Sequence, residues 1–499
     1  MKHMIQPFGI DMHKNVLTDT KAVKHMHFYE TDKTNTILNI SFIPSSTTEW
    51  IICYNDNNDI SEFICIGCQN IFTTLSLKEF DHYFGIRFDN TGCYFNKGCD
   101  IKTYPVNITD NIFRHRKTEQ REVSFRFYIL KELKMSDKLR VGILGGTGMV
   151  GQRFITLLEN HPWFEVVLVA ASGRSAGKLY EDAVEGRWKM QTPMPEFVKK
   201  MTVYDMDKDF DEIVSKVDFV FCAVNMPKDQ IKAIEERYAK AEVPVVSNNS
   251  ANRWTPDVPM VVPEINPEHL EVIKYQRERL GTKRGFICVK PNCSIQSYTP
   301  ALNALKEFGP KLVVATTYQA ISGAGKTFEQ WPEMVENIIP YIGGEEEKSE
   351  KEPLRLWGKI EDGKIVPASD PVITCQCIRV PVLDGHTAAV FVNFEKKPTK
   401  EQIIEKWRSF KGVPQELNLP SAPKHFIQYL EEDDRPQVKL DVNYENGMGV
   451  SLGRLREDSV FDYKFVGLSH NTLRGAAGGA VLIAELLKAQ GYITPKDAE

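Results

Sequence analysis

The chain has 499 residues, of which 42% are hydrophobic and 26% are charged, and its formal net charge at pH 7 is −5. This composition is typical of a globular protein with about two to four domains. The charge argues against a nucleic-acid partner, because it provides no strongly basic field. No apolar run reaches the roughly 18 residues of a membrane-spanning helix, and the first residues lack the apolar region of a secretory signal. We therefore expect a cytoplasmic protein that does not bind membranes.

The first 134 residues predict a separate β-rich module. Short β-branched and aromatic runs alternate with turn residues, which is typical of antiparallel strands. The runs are EWIICYN, SEFICIG, HYFGIRF and VSFRFYIL. Five of the ten cysteines precede residue 135. Cys65 and Cys68 form a C-x-x-C, but no second pair and no nearby C-x-x-H accompany it, so we expect free thiols and no metal site.

After Met135 the pattern changes to strands that alternate with helices. The predicted strands are KLRVGILGG, FEVVLVAA, VDFVFCAV and VPVVSNNS, and the predicted helices are GQRFITLLEN and PKDQIKAIEERYAKA. Such alternation predicts a parallel, doubly wound sheet covered by helices. The charge-rich run GGEEEKSEKE is typical of a solvated helix face.

The loop after the first of these strands has the spacing of a dinucleotide-binding turn. Gly146, Gly148 and Gly151 form G-x-G-x-x-G between a predicted strand and a predicted helix. Glycines let the backbone approach a pyrophosphate, and the helix N-terminus offers free N–H groups. A tight turn without a ligand is the alternative.

The loop after the second strand bears on the choice of cofactor. NAD-preferring sites usually place an acidic residue in this loop, roughly 20 residues after the glycine motif, to bind the ribose 2′-hydroxyl. This chain has Ser172, Gly173, Arg174 and Ser175 instead. A guanidinium and hydroxyls suit a 2′-phosphate, so the sequence favours NADP, and an ordinary polar loop is the alternative.

Cys293 is the candidate nucleophile. It precedes an apolar run with helical spacing in KPNCSIQSYTPAL. We expect a helix to begin there, whose dipole and free N–H groups would lower the pKa of the thiol. Attack on a carbonyl needs a general base, commonly His, and His386 follows Arg379, whose guanidinium suits a carboxylate. A buried structural cysteine and a structural histidine are the alternatives.

Several longer segments after Met135 carry a family resemblance. They are GGTGMVGQRF, ASGRSAGK, SNNSANRW, DVPMVVPEIN, KPNCSIQSYTPAL, TYQAISGAGK, NIIPYIGGEEEK, RVPVLDGHTAAV and SHNTLRGAAGGAVLIAELL. On these segments the chain resembles the aspartate-β-semialdehyde dehydrogenase family in its archaeal and fungal-like branch. The resemblance implies NADPH-dependent reductive dephosphorylation of L-4-aspartyl phosphate to L-aspartate 4-semialdehyde, in the pathway to lysine, threonine, methionine and diaminopimelate.

The resemblance also implies roles for individual residues. Cys293 would form the thioacyl intermediate, Asn292 would orient it and His386 would act as acid and base. The implied substrate-binding residues are Arg253 and Lys348 for phosphate, Arg379 for the α-carboxylate and Glu345 for the amino group, with Glu346 and Glu347 as alternatives to Glu345. The implied cofactor-binding residues are Gly146, Thr147, Gly148, Met149, Val150, Gly151, Ser172, Arg174, Ser175, Ser322, Gly323 and Asn471, with NADP as cofactor.

The expected fold class is α/β. A Rossmann-type nucleotide-binding domain would comprise residues 135–291 and 471–499, and an α/β catalytic and dimerisation domain would comprise residues 292–470. The β-rich module of residues 1–134 would precede both. The resemblance implies a homodimer or homotetramer that acts on a small-molecule substrate, and it requires no metal.

The sequence also bears on other functions. The Ser-Cys-Thr-Thr-Asn run of glyceraldehyde-3-phosphate dehydrogenase is absent, and Asn292 replaces the Gly that N-acetylglutamyl-phosphate reductases favour before their Cys. A malonyl-CoA reductase of the same fold would keep Cys293 and His386, although the acidic cluster at Glu345 argues against it. Residues 1–134 resemble the sensory region of AraC-type regulators, so a sensor or regulator fusion is a further alternative.

Overall fold

The computed structural model describes residues 138–496 and, before them, the backbone of seven strands between residues 23 and 95. The chain divides into two compact units, Met1–Asp137 and Lys138–Glu499. The first unit contains a five-stranded antiparallel sheet in the order β1-β2-β3-β4-β5 and a separate hairpin, β6-β7. These strands are β1 Val23–Glu30, β2 Asn35–Phe42, β3 Thr47–Tyr54, β4 Ile60–Cys68, β5 Ile71–Ser76, β6 Ile86–Asp89 and β7 Gly92–Phe95. The side chains of Cys65 and Cys68, the run VSFRFYIL and the resemblance to a sensory region lie outside the described residues.

The second unit begins with a six-stranded parallel sheet in the order β10-β9-β8-β11-β12-β13. Its strands are β8 Leu139–Leu144, β9 Phe164–Ala171, β10 Val203–Asp205, β11 Phe219–Cys222, β12 Val245–Ser247 and β13 Ile287–Val289. The intervening helices are α1 Met149–Leu158, α2 Tyr180–Ala183, α3 Glu196–Lys199, α4 Phe210–Lys216, α5 Lys228–Lys240 and α6 Ile273–Leu280. The strand order reverses between β8 and β11, which is the crevice where doubly wound sheets bind nucleotides. The predicted Rossmann-type sheet is confirmed.

A second, mixed sheet follows in the order β17-β14-β18-β21-β20-β19. The strands of this region are β14 Pro310–Gln319, β15 Lys359–Glu361, β16 Lys364–Val366, β17 Val372–Arg379, β18 His386–Phe394, β19 Ile427–Leu430, β20 Val450–Glu457 and β21 Tyr463–Ser469. Its helices are α7 Thr299–Asn303, α8 Glu345–Leu356, α9 Lys400–Ser409, α10 Val413–Glu416, α11 Val438–Asp441 and α12 Gly478–Ala489. Short 3₁₀ segments occupy Pro267–Val272, Ser294–Ser297, Lys306–Phe308, Ile321–Ala324, Pro332–Met334 and Tyr444–Gly447, and a π-helical turn occupies Leu473–Ala477.

The two faces of the mixed sheet differ in burial. Along β18 the alternate residues from His386 to Phe394 are buried, whereas the residues between them are only half-buried. Strands β14 and β17 repeat this alternation, and Tyr318 and Val372 are exposed on the less buried face. One face therefore belongs to the core, and the other remains accessible in a single chain.

The last helix, α12, returns to the parallel sheet. It is apolar apart from Glu485 and Lys488, and ten of its twelve residues are buried. It shares one apolar cluster with β8, β9 and α1, in which Val481 and Leu486 accompany Leu139 and Phe154. Burial on every side explains why this sequence shows no amphipathic stripe. No helix among residues 138–496 is long and apolar enough to cross a membrane.

The segment after Cys293 differs from its prediction. The expected single helix is a 3₁₀ turn at Ser294–Ser297, a five-residue α7 and another 3₁₀ turn at Lys306–Phe308. Pro300 is the cause we infer, because proline lacks an N–H and disfavours helical backbone in the residue before it. The apolar side chains at helical spacing are nevertheless buried, as the pattern indicated.

Candidate active site

A cavity of about 290 Å³ lies where the two sheets of the second unit meet. It is lined by the start of α1, the loop after β12, the segment around Cys293, the start of α8 and the turn after β21. The predicted site residues that line it are Met149, Val150, Arg253, Asn292, Cys293, Ser322, Gly323, Glu345, Lys348 and Asn471. Four lining side chains are cationic (Arg153, Arg253, Lys290 and Lys348), and one, Glu345, is a carboxylate. The cavity therefore favours an anionic ligand.

The glycine loop has the shape that a dinucleotide requires. A Cβ on Gly146 would lie 2.3 Å from Val169, and one on Gly151 would lie 2.4 Å from the Gly145 carbonyl oxygen. At Gly148 the nearest atom would be 3.5 Å away, so the backbone faces open space. No side chain caps the N-terminus of α1 and no acidic residue occupies its first turn. Its free N–H groups and positive dipole end thus remain available to a pyrophosphate.

The loop predicted to bind a 2′-phosphate lies beyond the end of β9, outside the cavity lining. Ser172 and Arg174 are exposed, whereas Ser175 is buried. The carbonyl oxygen of Ser172 accepts the backbone N–H of Ser175 at 2.9 Å, which closes a turn. Thr147 is half-buried in the glycine loop and its carbonyl accepts the side chain of Gln152.

Cys293 and His386 lie side by side although 93 positions separate them. The Cys293 Sγ atom is 3.4 Å from His386 Nε2, and the backbone N–H of Ala320 donates to His386 Nδ1 at 3.0 Å. A neutral imidazole carries one N–H, so the hydrogen bond from Ala320 leaves the ring proton on Nε2, facing the sulfur. This tautomer donates to Cys293 and does not accept its proton, which differs from the general-base role expected for His386.

Burial has the largest effect on the pKa values of both Cys293 and His386. Desolvation, with a smaller contribution from nearby Arg379, lowers the pKa of His386 to about 3, so the ring is neutral at physiological pH. Desolvation also raises the pKa of Cys293, with Glu345 adding to the effect, while Lys290, Arg253 and Arg379 oppose it. The expected lowering by a helix dipole is wrong, because the helix at Cys293 is a four-residue 3₁₀ turn and desolvation outweighs it.

The three glutamates at the start of α8 have different partners. Glu345 accepts from Asn292 Nδ2 at 2.9 Å and from Lys348 Nζ at 2.6 Å. Burial tends to raise the pKa of Glu345, but Lys348 and Asn292 bring it below its usual value, so it is a carboxylate. Glu346 instead accepts the backbone N–H of Cys377, and Glu347 pairs with Lys351 on the surface. Of these three, only Glu345 lines the cavity.

Arg379 and the turn at Ser322–Gly323 lie against the histidine. The Arg379 Nη1 atom donates to the Ala320 carbonyl at 2.6 Å. A Cβ on Gly323 would lie 3.2 Å from both Arg379 Nη1 and His386 Nε2, so a larger residue at this position would press on both side chains.

Ser322 and Asn471 belong to one hydrogen-bonded network. Asn471 Nδ2 donates to Ser322 Oγ at 2.8 Å, and Ser322 Oγ donates to Asp384 Oδ1 at 2.7 Å. Asn471 Oδ1 also accepts the backbone N–H of Gly385, the residue before His386. The network therefore ties the turn after β21 to the start of β18.

Several residues of the site were not identified from the sequence. Lys290 lines the cavity three positions before Cys293 and is 3% exposed. Glu352 is fully buried and pairs with Arg253 at 2.9 Å, although its run was interpreted as a solvated face. Its spacing of seven from Glu345, which puts both on one helix face, could have identified it. A Cβ on Gly475 would lie 2.7 Å from that of Cys293, so the π-helical turn packs directly on the nucleophile segment.

No group of three or more His, Cys, Asp or Glu side chains within the described residues could hold a metal ion.

The second unit of the chain is similar to known proteins. Residues 140–273 match the family model "Semialdehyde dehydrogenase, NAD binding domain", and residues 302–474 match "Semialdehyde dehydrogenase, dimerisation domain". Aspartate-semialdehyde dehydrogenase of Methanothermobacter thermautotrophicus is 43% identical over 352 residues, covering 70% of this chain and 99% of the relative. That of Schizosaccharomyces pombe is 44% identical over 361 residues, covering 71% of this chain and 99% of the relative.

A solved structure, aspartate semialdehyde dehydrogenase with NADP from Candida albicans, is also similar. Its TM-score is 0.64 at 40% identity, and the match covers 71% of this chain and 100% of that one. The similar sequences extend over nearly the full length of both curated relatives, and the structural match covers the same share of this chain. The chain therefore belongs to the aspartate-semialdehyde dehydrogenase family.

Proposed function

We propose that this protein catalyses the reversible, NADPH-dependent reductive dephosphorylation of L-4-aspartyl phosphate to L-aspartate 4-semialdehyde. The product serves the pathway to lysine, threonine, methionine and diaminopimelate. The observation that carries the proposal is the 3.4 Å contact of Cys293 Sγ with His386 Nε2 beside a cavity that the start of α1 also lines. A partly buried thiol beside an imidazole and cationic side chains suits acyl transfer from an anionic substrate.

The proposed cofactor is NADP. The glycine loop and the start of α1 would hold the pyrophosphate, and Ser172, Arg174 and Ser175 would hold the 2′-phosphate. Asn471 and the turn at Ser322–Gly323 would border the nicotinamide. Bound NADPH supplies the hydride that reduces the thioester.

Cys293 begins the reaction as the nucleophile. The thiol first loses its proton to water, because His386 cannot accept it, and the charges of Lys290, Arg253 and Arg379 reduce the cost that burial imposes on the thiolate. The sulfur attacks the carbonyl carbon of aspartyl phosphate, a C–S bond forms, and the bond to the phosphate oxygen breaks with phosphate taking the electron pair. His386 donates its Nε2–H to the sulfur while it is a thiolate, and to the carbonyl oxygen as negative charge develops there.

The ends of the substrate meet side chains of opposite charge. Arg379 would bind the α-carboxylate and Glu345 the amino group, which orients the carbonyl carbon towards the sulfur. Arg253 and Lys348 would bind the phosphate. Asn292 supports this arrangement, because its side chain donates to Glu345 and its Oδ1 accepts the backbone N–H of Ser294 at 2.7 Å.

Release of the aldehyde breaks the C–S bond that the first step formed. The alkoxide of the reduced thioester collapses, the C–S bond breaks, and the sulfur leaves as a thiolate. His386 Nε2–H again donates to that thiolate, which lowers the energy of the leaving group. The turn at Gly475 packs on the Cys293 segment and would keep water from the thioester.

We propose that the active form is a homodimer or a homotetramer in the cytoplasm. The less buried face of the mixed sheet supports association, because Tyr318 and Val372 are exposed on it and Phe391 is only half-buried. A second copy packed on this face would cover apolar surface that a single chain leaves in water. Sedimentation of the full-length chain at several concentrations would test this.

The test of the function is a comparison of substrates and variants. With aspartate semialdehyde, phosphate and NADP⁺, the wild-type protein should form NADPH, and omission of phosphate should stop the reaction. Cys293→Ala should abolish turnover while NADPH still binds, as followed by its fluorescence. Turnover of malonyl-CoA in place of aspartyl phosphate would favour the malonyl-CoA reductase alternative, and retained activity of Cys293→Ala would refute the nucleophile.

A further inference from the structure

We propose that Glu352 is a positioning residue that holds Arg253 and the peptide group before Cys293 in one arrangement. It would thereby couple phosphate binding to the placement of the nucleophile. The inference rests on the proposed function, because it assigns phosphate to Arg253.

Glu352 contacts both partners directly from within the core. It is fully buried, two turns after Glu345 on α8. One carboxylate oxygen accepts from Arg253 Nη1 at 2.9 Å, and the other accepts the backbone N–H of Asn292 at 2.5 Å. A buried carboxylate is strongly destabilising unless its oxygens are satisfied. Both oxygens are used here, and each holds a residue that lines the cavity.

The partners come from separate parts of the fold. Arg253 follows β12 in the parallel sheet, whereas Asn292 follows β13 and adjoins Cys293. Helix α8 belongs to the region of the mixed sheet. It contacts the nucleophile segment at two further points, because Glu345 accepts from the side chain of Asn292 and Ser349 Oγ lies 3.1 Å from Ser294 Oγ. Of the three contacting residues of α8, only Glu352 also reaches Arg253.

Glu352 would affect phosphate binding in opposite directions through its charge and through the positioning of Arg253. A carboxylate beside bound phosphate repels it, so Glu352 opposes phosphate binding if charge is its only effect. Arg253 lines the cavity, and its hydrogen bond to Glu352 uses the Nη1 atom. With Nη1 held by Glu352, the remaining guanidinium donors stay in place for an oxyanion. Orientation thus outweighs repulsion in our interpretation.

Two substitutions separate these effects. Glu352→Gln removes the charge at nearly constant shape, and its single amide oxygen replaces two carboxylate oxygens. Glu352→Asp keeps the charge but is one methylene shorter and cannot span both partners. If Glu352 positions these groups, both variants should lose on the order of 10²-fold in kcat/KM for phosphate, with kcat reduced at saturating phosphate. Glu307→Gln and Glu307→Asp, in an exposed pair with Lys406, are the matched controls and should match the wild type.

A second measurement needs no turnover. Inorganic phosphate should slow the alkylation of Cys293 by iodoacetamide, and both Glu352 variants should need at least about tenfold more phosphate for the same protection. The inference is overturned if Glu352→Asp keeps wild-type kcat and phosphate dependence, or if Glu352→Gln binds phosphate more tightly with kcat unchanged. Glu352→Asp retains both buried charges, so it decides the question even if Glu352→Gln does not fold. A wild-type protein that forms no NADPH from aspartate semialdehyde would refute the proposed function separately.

Discussion

Lys290 should make the protein less stable at neutral pH. Its side chain is 3% exposed, and its Nζ atom donates to the carbonyl oxygen of Pro291. Glu352, a nearby carboxylate, is paired with Arg253 instead. Desolvation, with a smaller contribution from Arg253, lowers the pKa of Lys290 from 10.5 to about 7. The substitution Lys290→Met keeps the length of the side chain and removes the amine.

The sign and size of the effect follow from the two pKa values. Between pH 7 and about 10.5 the unfolded chain binds the proton more tightly than the folded chain, so stability rises with pH through this window. Each tenfold difference in proton affinity is worth about 1.36 kcal/mol. Lys290 therefore costs on the order of 4 kcal/mol at pH 7 and about 2 kcal/mol at pH 9.

Urea titrations of the wild type and Lys290→Met at both pH values would measure this cost. Lys290→Met should be the more stable protein at pH 7, and its advantage should shrink by about half at pH 9. Lys406→Met, at an exposed pair with Glu307, should differ from the wild type by less than about 0.5 kcal/mol. An advantage independent of pH, or a Lys290→Met that is less stable at pH 7, would refute the reasoning.

Three further predictions concern the site. Arg174→Glu should weaken NADPH binding far more than NADH binding, and an unchanged ratio in fluorescence titrations would remove Arg174 from the 2′-phosphate site. Gly323→Ala should lower kcat by up to about 10²-fold, because its Cβ would lie 3.2 Å from Arg379 and His386; steady-state kinetics at unchanged thermal stability would establish this. Alkylation of Cys293 by iodoacetamide should rise with pH and reach its midpoint at a higher pH than the alkylation of free cysteine, because burial raises the pKa of this thiol, with Cys293→Ser as control. A midpoint below that of free cysteine would instead support ionisation by the helix dipole.

The sequence predicted the parallel sheet well, for a physical reason. Strands buried on both faces must be continuously apolar, and FEVVLVAA coincides with β9, Phe164–Ala171. The glycine spacing likewise located the turn before α1. These features depend on local patterns, which a single sequence records.

The features that the sequence did not predict depend on tertiary structure. Residue types indicated Cys293 as nucleophile and His386 as its candidate base, but no local pattern gives the distance between two side chains that are 93 positions apart. The pKa of Cys293 depends on burial among groups from four different segments, which no local pattern contains. Glu352 was interpreted as a surface residue because its partners, Arg253 and Asn292, are brought to it only by folding.

Two other carboxylates of α8 have a consequence for assembly. Glu350 and Glu346 accept the backbone N–H groups of Cys375 and Cys377, and Ile339 pairs with the next outward residue of β17, Arg379. The backbone N–H groups on the outer edge of β17 already have acceptors at these positions. An incoming strand would find no unpaired amide there. A partner copy therefore cannot lengthen the sheet by pairing with β17 at these positions. A copy that docks on this side should stack a broad surface against the sheet, and the two sheets should remain separate layers.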